Sequence, residues 1–395
     1  MSGDRAGRPS LLRAINDRAA LDLLLRHGPL SRGRIGQLTG LSKPTASQLL
    51  ARLEAAGLVR AVGTAGGGPG PAAQLYELNP AAAHVAGLDV TPARIDVAVA
   101  DLSGHVVAEY RLPTPRRAPV NVAARLREAV AAATASAGLA PADLTHVVIG
   151  MPGAFDPATG RFRYARHLPG WHAPGVLDEV RTALGTTVDV ENDVNLVALA
   201  EQREGAAKDP GDFVLLWVDE GIGSALVLGG RLHRGATGGA GEVGYMPLPG
   251  APVIRDIGRS NTGGFQQLAG APAVLALAKT HGISARTAAG AVAQAVAAEP
   301  QHSPGGAGFL DELATRLAVG LASIVAVLDP ALVVLSGAVP LTGGAPLLAR
   351  VTDELHGLAI PRPRLVLGEV RGNPVRTGAV HAALDVARDS VFTTA

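Results

Sequence analysis

Residues 31–60 read SRGRIGQLTGLSKPTASQLLARLEAAGLVR, a stretch that predicts two short helices joined by a tight turn. Gly40 fits the turn, because glycine tolerates the left-handed backbone of a sharp corner. Ser42 fits the cap of the second helix, and Pro44 lies in its first turn, where a missing N–H costs nothing. Three leucines at helical spacing predict a buried face, namely Leu49, Leu50 and Leu53. The stretch is therefore typical of a helix-turn-helix.

The polar residues of this unit predict a surface that reads DNA. The candidate DNA contacts are Arg34, Ser42, Lys43, Thr45, Ser47, Gln48 and Arg52. Several are short hydrogen-bonding side chains in the first half of the second helix, where a recognition helix meets base edges and phosphates. An ordinary helical hairpin with a solvated polar face has the same pattern, so this stretch alone leaves both interpretations open.

The flanking segments extend the unit to a winged helix-turn-helix. A helix is predicted at 10–27, and strands at 58–62 and 74–78 enclose a loop rich in glycine and proline. Residues 1–80 carry ten basic and five acidic residues, whereas the remainder of the chain is mildly acidic. A basic head on an acidic body is typical of a phosphate-binding module joined to a small-molecule domain. We therefore predict a DNA-binding domain at 1–80 and a second domain at 81–395.

The composition bounds the class of protein. The chain has 395 residues, 47% of them apolar, which is enough for sizeable hydrophobic cores. No apolar run fits a membrane span, and no apolar segment follows a basic start. The absence of cysteine excludes disulfides and thiolate metal sites. We expect a soluble cytoplasmic protein with no membrane partner.

The second region predicts an α/β domain with an internal duplication. Strands at 84–90, 93–101 and 106–112 form a meander, and a second meander begins at 213–218. Two lobes that each start with a hairpin would enclose a cleft between them. Further helices are predicted at 120–138, 271–298, 310–328, 347–355 and 378–387. The apolar helix at 310–328 is either a subunit interface or a buried helix of one lobe.

The sequence Glu-Asn-Asp at 191–193 stands where a predicted strand ends and a helix begins, the usual location of a ligand site in α/β folds. An amide beside a carboxylate can bond sugar hydroxyls, and an aspartate there can serve as a general base. Both side chains can equally cap the following helix. The residues alone leave ligand binding and capping open for Asn192 and Asp193.

The whole layout resembles the ROK family, which contains bacterial sugar kinases and sugar-responsive transcriptional repressors. The motifs that carry the resemblance are LSKPTASQLLARLEAAGLV, GMPGAFDPATG, HLPGW, VENDVNLVALAE, GIGSALVLGGRLHRGATGGAGEVGYMPL and LDPALVVLSG. The resemblance implies an α/β body with a two-lobed, actin-like ATPase and sugar-kinase fold, and only the family's regulators carry a winged helix. It also implies sugar contacts at Asn192, Asp193 and Glu242, and Gly153 of the GMPG loop is a further candidate.

Three segments depart from the nucleotide-binding pattern of the kinases. The first phosphate loop, D-x-G-G-T in the kinases, reads D-V-T-P-A at 89–93, and proline has no N–H to offer a phosphate. The second, G-T-G-x-G, reads D-E-G-I-G at 219–223 and would place two carboxylates against a polyphosphate. The glycines on the adenosine side are reduced to S-G-A at 336–338. We therefore predict no ATP binding, no catalytic residue and no cofactor.

The positions of the family's zinc and sugar ligands also differ. Tyr245 replaces the zinc-binding histidine, and the cysteine cluster is missing, so no metal site is predicted. The resemblance implies sugar contacts at three positions that are Tyr245, Gln266 and His167 in this chain, and we retain them as candidates for an unusual sugar or sugar phosphate. The wing loop at 66–71 lacks the family's arginine, so DNA affinity should depend on the recognition helix and phosphate contacts.

The favoured hypothesis is a DNA-binding transcriptional regulator, a repressor of carbohydrate-related genes, whose affinity for double-stranded DNA responds to a sugar. A homodimer or homotetramer would bind a palindromic operator. One alternative is a ROK sugar kinase with an accessory DNA-binding head, which the altered phosphate loops disfavour. The other alternative is a ligand-independent DNA-binding protein whose body serves only for oligomerisation.

Overall fold

The winged helix-turn-helix predicted for the start of the chain is confirmed. The computed structural model describes residues 9–65, 72–115, 121–156, 159–163, 168–209, 211–255, 262–298 and 304–393. The elements of the first domain are α1 (Pro9–His27), β1 (Leu30–Ser31), α2 (Arg32–Thr39), α3 (Lys43–Ala55), β2 (Val59–Ala65) and β3 (Ala73–Leu78). The strands form an antiparallel sheet in the order β1-β3-β2, in which the short β1 was not predicted.

Local sequence signals fix the helix-turn-helix. Gly40 has φ of 72°, and the Ser42 hydroxyl accepts a hydrogen bond from the Thr45 N–H at 3.4 Å, as the capping prediction required. The three predicted core leucines of α3 are buried, and they pack against Leu21 of α1 and Ile35 of α2. The polar side of α3 therefore faces away from the core.

The body of the chain contains two lobes with the same topology. The elements of lobe I are β4 (His84–Val90), β5 (Arg94–Asp101), β6 (Val106–Pro113), α4 (Val122–Ser136), β7 (Leu144–Met151), β8 (Ala154–Asp156), β9 (Arg161–Arg163), α5 (Val176–Leu184), β10 (Thr187–Asn192) and α6 (Asp193–Glu204). Its main sheet has the order β10-β7-β4-β5-β6, and β8 and β9 form a separate hairpin.

Lobe II repeats this plan and begins with its own three-stranded meander. Its elements are β11 (Phe213–Val218), β12 (Ile222–Leu228), β13 (Arg231–Leu232), α7 (Gly264–Ala269), α8 (Ala271–Thr280), α9 (Ala288–Ala298), α10 (Pro304–Leu328), β14 (Leu332–Ser336), α11 (Ala338–Leu358), β15 (Arg364–Leu367) and α12 (Pro374–Thr393). The sheet order β13-β12-β11-β14-β15 matches that of lobe I strand for strand when lobe I is read from its other edge, β6-β5-β4-β7-β10. The predicted duplication is therefore confirmed.

Two helices connect the lobes. Leu196 of α6 and Ala383 of α12 belong to a hydrophobic cluster that also contains Val85 from the first sheet and Phe213 from the second. The last turn of α12 reaches further, because Phe392 is buried in the core of the winged helix. The boundary at residue 80 stays a prediction, but the two regions that it separates share this core. Among the described residues, no helix is long and apolar enough to cross a membrane.

The prediction of a single helix at 271–298 was wrong. The structure has α8 and α9 instead, separated by a turn in which Gly282 has φ of 75° and the Ile283 N–H donates to the Ala278 carbonyl at 2.8 Å. The Thr287 hydroxyl then accepts a hydrogen bond from Gly290 N–H at 3.0 Å and starts α9. The alanine-rich composition on both sides hid these two capping signals. The helix predicted at 347–355 is the second part of α11, which departs from helical geometry at Gly344.

Candidate functional site

The outer face of α3 carries the predicted DNA contacts. Lys43, Thr45 and Gln48 are exposed, and the hydroxyls of Ser42 and Thr45 lie 2.8 Å apart. Ser47 is half-buried, donates to the Lys43 carbonyl at 2.9 Å and accepts from Arg32 at 3.0 Å. The exposed face thus offers an ammonium, an amide and hydroxyls, the groups that bind phosphates and base edges.

Two basic residues of the same unit are placed differently. Arg34 on α2 is exposed, and its guanidinium donates to the Gln37 side chain at 3.4 Å. Arg52, at the end of α3, forms two hydrogen bonds with Asp17 of α1, at 2.5 and 3.3 Å, and Asp17 is buried. The Arg52 guanidinium neutralises a buried carboxylate within the winged helix, and its contact with DNA stays a prediction. The predicted wing loop at 66–71 lies outside the described residues.

Asn192 and Asp193 lie at the junction of β10 and α6. The Asn192 Oδ1 atom accepts from the Asn195 N–H at 3.1 Å and caps α6, while its amide nitrogen donates to the Gly153 carbonyl at 3.0 Å. The capping interpretation is therefore correct for Asn192, but one amide N–H and one lone pair remain for a ligand. Asp193 accepts from Val194 N–H at 2.8 Å. The loop that holds Gly153 is thus tied to the predicted ligand pair.

A narrow cavity adjoins this junction. It is lined by Asn192 and Val194 from lobe I and by Gly223, Ser224, Gly238, Ala240, Gly241 and Glu242 from lobe II. Glu242 begins the short turn Val243–Tyr245, which follows the glycine-rich loop after β13. Residues from the two lobes therefore face each other across the cavity, as the predicted cleft requires.

The carboxyls of this cavity hold protons more tightly than usual. Burial raises the pKa of Asp193 to about 6, and the Asp89 carboxylate adds to the rise. Burial and the charge of Asp193 raise the pKa of Glu242 to about 7. A carboxyl that titrates near neutrality can either accept or donate a hydrogen bond, which suits the dual character of a sugar hydroxyl.

An ion pair beside the cavity was missed by the sequence analysis. Arg234, in the loop after β13, contacts the Glu191 carboxylate at 2.6 Å, and the same carboxylate accepts from Asn195 at 2.8 Å. Glu191 belongs to lobe I and Arg234 to lobe II, so the pair joins the lobes. Both residues lie in motifs that carry the family resemblance, but nothing in their spacing indicates that they meet.

The three altered ligand positions have different fates. The Gln266 amide accepts from the Ile222 N–H at 2.8 Å and donates to the Glu220 carbonyl at 3.3 Å. Gln266 therefore braces the turn between β11 and β12, and its contact with a sugar stays a prediction. Tyr245 is half-buried and closes the turn after Glu242. His167 lies outside the described residues.

The two hairpin turns that depart from the kinase pattern in sequence are held by contacts within the protein. In lobe I, Asp89 accepts from the Asn373 amide at 2.9 Å, while Asp96 bonds Arg94 at 2.6 Å and Arg111 at 2.5 Å. Although burial alone would raise it, the pKa of Asp96 is lowered because both guanidiniums hydrogen-bond its carboxylate. The first hairpin is thus held by an ion-pair cluster of its own.

In lobe II, Asp219 lies at the N-terminus of α11. Its carboxylate accepts a hydrogen bond from the N–H of Ala338, the first residue of α11, and burial raises its pKa, with Glu220 raising it further. A helix N-terminus is where an α/β protein binds phosphate. The neighbouring Ile222 N–H is taken by Gln266. A second anion at this position would meet a carboxylate rather than free donors.

The sequence comparison identifies the class of protein. Residues 85–361 match the ROK family, so the chain belongs to that family. Residues 15–68 match the MarR family, the region of α1 to β2. The predicted family, and the predicted fold of a winged helix joined to a sugar-kinase-like body, are both confirmed.

Particular relatives include a regulator and an enzyme. The chain is 26% identical over 244 residues to the DNA-binding transcriptional dual regulator NagC of Escherichia coli, a match that covers 61% of this chain and 59% of that protein. A solved ROK family transcriptional regulator, a homolog of E. coli MLC protein, matches 97% of this chain and 100% of its own with a TM-score of 0.76 at 19% identity. The ROK hexokinase of Thermus thermophilus matches 77% of this chain and 99% of its own, with a TM-score of 0.63 and 28% identity.

Proposed function

We propose that this chain is a DNA-binding transcriptional regulator, a repressor of carbohydrate-related genes. The observation that carries the proposal is the exposed polar face of α3, formed by Lys43, Thr45 and Gln48, on a winged helix whose leucines are buried. The likeness to the E. coli regulator supports the same conclusion. Contacts from this face to bases and phosphates would select an operator, and Arg34 and Ser42 would add contacts to the DNA backbone.

The effector of this regulator is proposed to be a sugar or sugar phosphate bound between the lobes. Asn192 and Glu242 supply an amide and a carboxyl to the lining of one cavity, the charge of Asp193 acts on Glu242, and Gly153 is bonded to Asn192. Side chains that both donate and accept hydrogen bonds are suited to a polyol. Tyr245 remains a candidate contact beside Glu242, and His167 remains a candidate from the sequence.

Kinase activity is not part of the proposal. Asp193, which matches the catalytic base of the kinases, is present, but the two phosphate loops are held by Asn373, Gln266 and the carboxylate of Asp219. These contacts favour a body that binds sugar without binding ATP. Incubation of the purified protein with ATP and a panel of hexoses, N-acetylhexosamines and pentoses should give no sugar-dependent ADP. Measurable turnover would favour the kinase alternative.

Contacts along α12 support a route from the sugar to the DNA. Gly378 lies so close to α6 that an added Cβ would be 1.9 Å from the Leu196 carbonyl oxygen, and Arg203 of α6 pairs with Asp385 of α12 at 2.6 Å. At its far end, Asp389 pairs with Arg18 of α1 at 2.6 Å. Since α6 begins at Asp193, cleft closure would move α12 and the winged helix together.

The regulator is proposed to act as a homodimer or homotetramer on a palindromic operator. Two winged helices related by a twofold axis would meet half-sites about one helical turn apart, or a multiple of that distance. Purified full-length protein, mixed with fragmented genomic DNA from its source, should enrich fragments that share one inverted repeat. A binding pattern without a shared sequence would overturn the proposal of an operator-specific repressor.

The alternative of a ligand-independent regulator is tested on the same DNA. Operator affinity is measured with and without each sugar of the panel and with the corresponding hexose 6-phosphates. We expect at least one compound to change the affinity about fivefold to 100-fold, the usual range of an allosteric coupling. An operator affinity that no compound alters would favour the ligand-independent alternative.

A further inference from the structure

A buried hydroxyl on lobe II lacks a partner. Ser224 lies on β12 with 3% of its surface exposed, and its Oγ atom forms no hydrogen bond with any described residue. Its backbone N–H donates to the Gly241 carbonyl at 2.9 Å, and the residue lies opposite Leu216 of β11. Within the described part of the chain, the only other such side-chain atom is the Oδ1 of Asn195.

Ser224 is one of the residues that line the cavity between the lobes, and its hydroxyl is buried there. Ser224 shares that lining with Asn192, from lobe I, and with Glu242, the next carboxyl along lobe II. Its position is fixed by close backbone packing, because a Cβ added to Gly241 would be 2.0 Å from the Ser224 carbonyl oxygen. A Cβ added to Gly223 would likewise be 2.9 Å from Val194 of α6. The strand therefore cannot turn this residue away from the cavity without moving its neighbours.

An unpaired hydroxyl in this position is unfavourable for folding. Removing a hydroxyl from water without a new hydrogen bond destabilises the folded state, whereas an alanine in the same strand would not. Serine is also a weaker choice than a β-branched residue for a strand interior. The arrangement is consistent if a bound molecule supplies the missing hydrogen bond.

We propose that Ser224 is a specificity-determining contact of the effector site, and that its Oγ atom hydrogen-bonds one hydroxyl of a bound sugar from the lobe II side. The proposal rests on the sugar-binding function proposed above. Asn192 would hold the sugar from lobe I and Ser224 and Glu242 from lobe II, so the ligand would bridge the two lobes. A hydroxyl both donates and accepts hydrogen bonds, which matches a sugar hydroxyl better than it matches a carboxylate or an ammonium.

The test compares Ser224→Ala with the wild type in two measurements. Without sugar, the variant should melt at the same temperature or higher, because an unpaired hydroxyl has been removed. The wild type is first screened against the sugars of the panel and the hexose 6-phosphates to find its ligand. In calorimetric titrations with that ligand, the variant should bind about fivefold to tenfold more weakly, which corresponds to the loss of one hydrogen bond. A merely structural serine would change the melting temperature but leave the affinity for sugar unaltered.

Deoxy analogues of the same sugar identify the hydroxyl that Ser224 contacts. One monodeoxy analogue should bind the wild type about fivefold to tenfold more weakly, yet bind Ser224→Ala as well as the parent sugar does. Thr134→Val is the matched control, because that buried hydroxyl is bonded to the Val130 carbonyl at 3.0 Å within α4. It should leave sugar affinity unchanged. Ser224→Cys, a second variant of similar size with a weak donor, should show intermediate affinity.

The possible outcomes separate this inference from the proposed function. If the wild type binds a sugar and both Ser224 variants bind it equally well, Ser224 is not a contact, although the effector site stands. If the wild type binds no compound of the panel, the proposed sugar effector and the contact both fall. A third outcome is that the variants bind the sugar more weakly while no deoxy analogue binds the wild type and Ser224→Ala with equal affinity. That result would also overturn the direct contact.

Discussion

Asn192 and Asn373 hold equivalent positions in the two lobes, and their surroundings differ. Asn192 ends the last strand of its sheet and Asn373 comes after the last strand of the other. Each caps the helix that follows it, Asn192 through Asn195 N–H at 3.1 Å and Asn373 through Arg376 N–H at 3.0 Å. Asn192 then bonds a loop carbonyl beside a cavity, whereas Asn373 bonds the buried Asp89 carboxylate. The same type of capping residue thus borders the narrow cavity between the lobes in one case and completes the ion-pair cluster of Asp89 and Asp96 in the other.

The two asparagines differ in the hydrogen-bonding capacity that is left around them. Asn192, Glu242 and Ser224 keep unused hydrogen-bonding capacity around one cavity. The groups that would receive a nucleotide are bonded to other parts of the protein, as Ile222 is to Gln266. We therefore expect substitutions around the cavity to change ligand binding. Substitutions at the Asn373–Asp89 and Gln266–Ile222 contacts should instead change stability.

The largest expected effect comes from exchanging each asparagine for alanine. Asn373→Ala removes a helix cap and the donor to Asp89, and should lower the free energy of unfolding by about 3 kcal/mol with less than a twofold change in sugar affinity. Asn192→Ala should lose only about 1 kcal/mol from the cap but weaken sugar binding about tenfold or more. Urea denaturation and calorimetry measure the two quantities. Equal losses of sugar affinity in both variants would contradict the comparison.

A smaller effect is expected from Glu242→Gln, and it depends on pH. The pKa of Glu242 is raised from 4.5 to about 7, because of burial and then the charge of Asp193. Between these values the folded chain keeps a proton that the unfolded chain has released, so the wild type loses stability as pH rises from about 4.5 to 7, on the order of 2 kcal/mol. Glutamine does not titrate and avoids this loss.

The measurement compares unfolding free energies at pH 5 and pH 8. Relative to the wild type, Glu242→Gln should become more stable at pH 8 than at pH 5. Glu354→Gln is the control, because it makes the same chemical change at an exposed position of α11 and should show no such difference. An identical pH dependence in wild type and Glu242→Gln would mean that Glu242 is not buried beside Asp193 in solution.

Many features of the cavity and of the helix-turn-helix were predictable, because their sequence signals are local. The strand-to-helix junction at Asn192 and the caps at Gly40 and Ser42 each depend on residues within a few positions along the chain. The resemblance to the ROK family then supplied Glu242, which lies 50 residues beyond Asn192. The proline and carboxylates that replace glycines in the two hairpin turns predict a loss of nucleotide binding, and that stays a prediction.

The contacts that sequence analysis missed are those between distant segments. Arg52 and Asp17 are 35 residues apart, and no periodicity indicates that a recognition-helix arginine pairs with α1. Gln266 reaches the turn at Ile222 from 44 residues away, although its position in the family suggested sugar. A side chain's partner depends on the packing of whole elements, which one sequence does not display. The unpaired Ser224 hydroxyl is hidden for the same reason.

The smallest expected effect applies the same distinction to two basic residues of α3. Lys43 is exposed, so Lys43→Ala should weaken operator binding about fivefold to tenfold. The slope of log affinity against log salt concentration should fall in magnitude by about one, as expected for the loss of one phosphate contact. Arg52→Ala should leave that salt slope unchanged but destabilise the winged helix, because it leaves the buried Asp17 without its guanidinium partner. Operator titrations at several salt concentrations, together with thermal melts, separate the two results. A salt slope that falls in Arg52→Ala and not in Lys43→Ala would reverse the assignment, and would mean that the end of α3 meets the phosphates rather than its beginning.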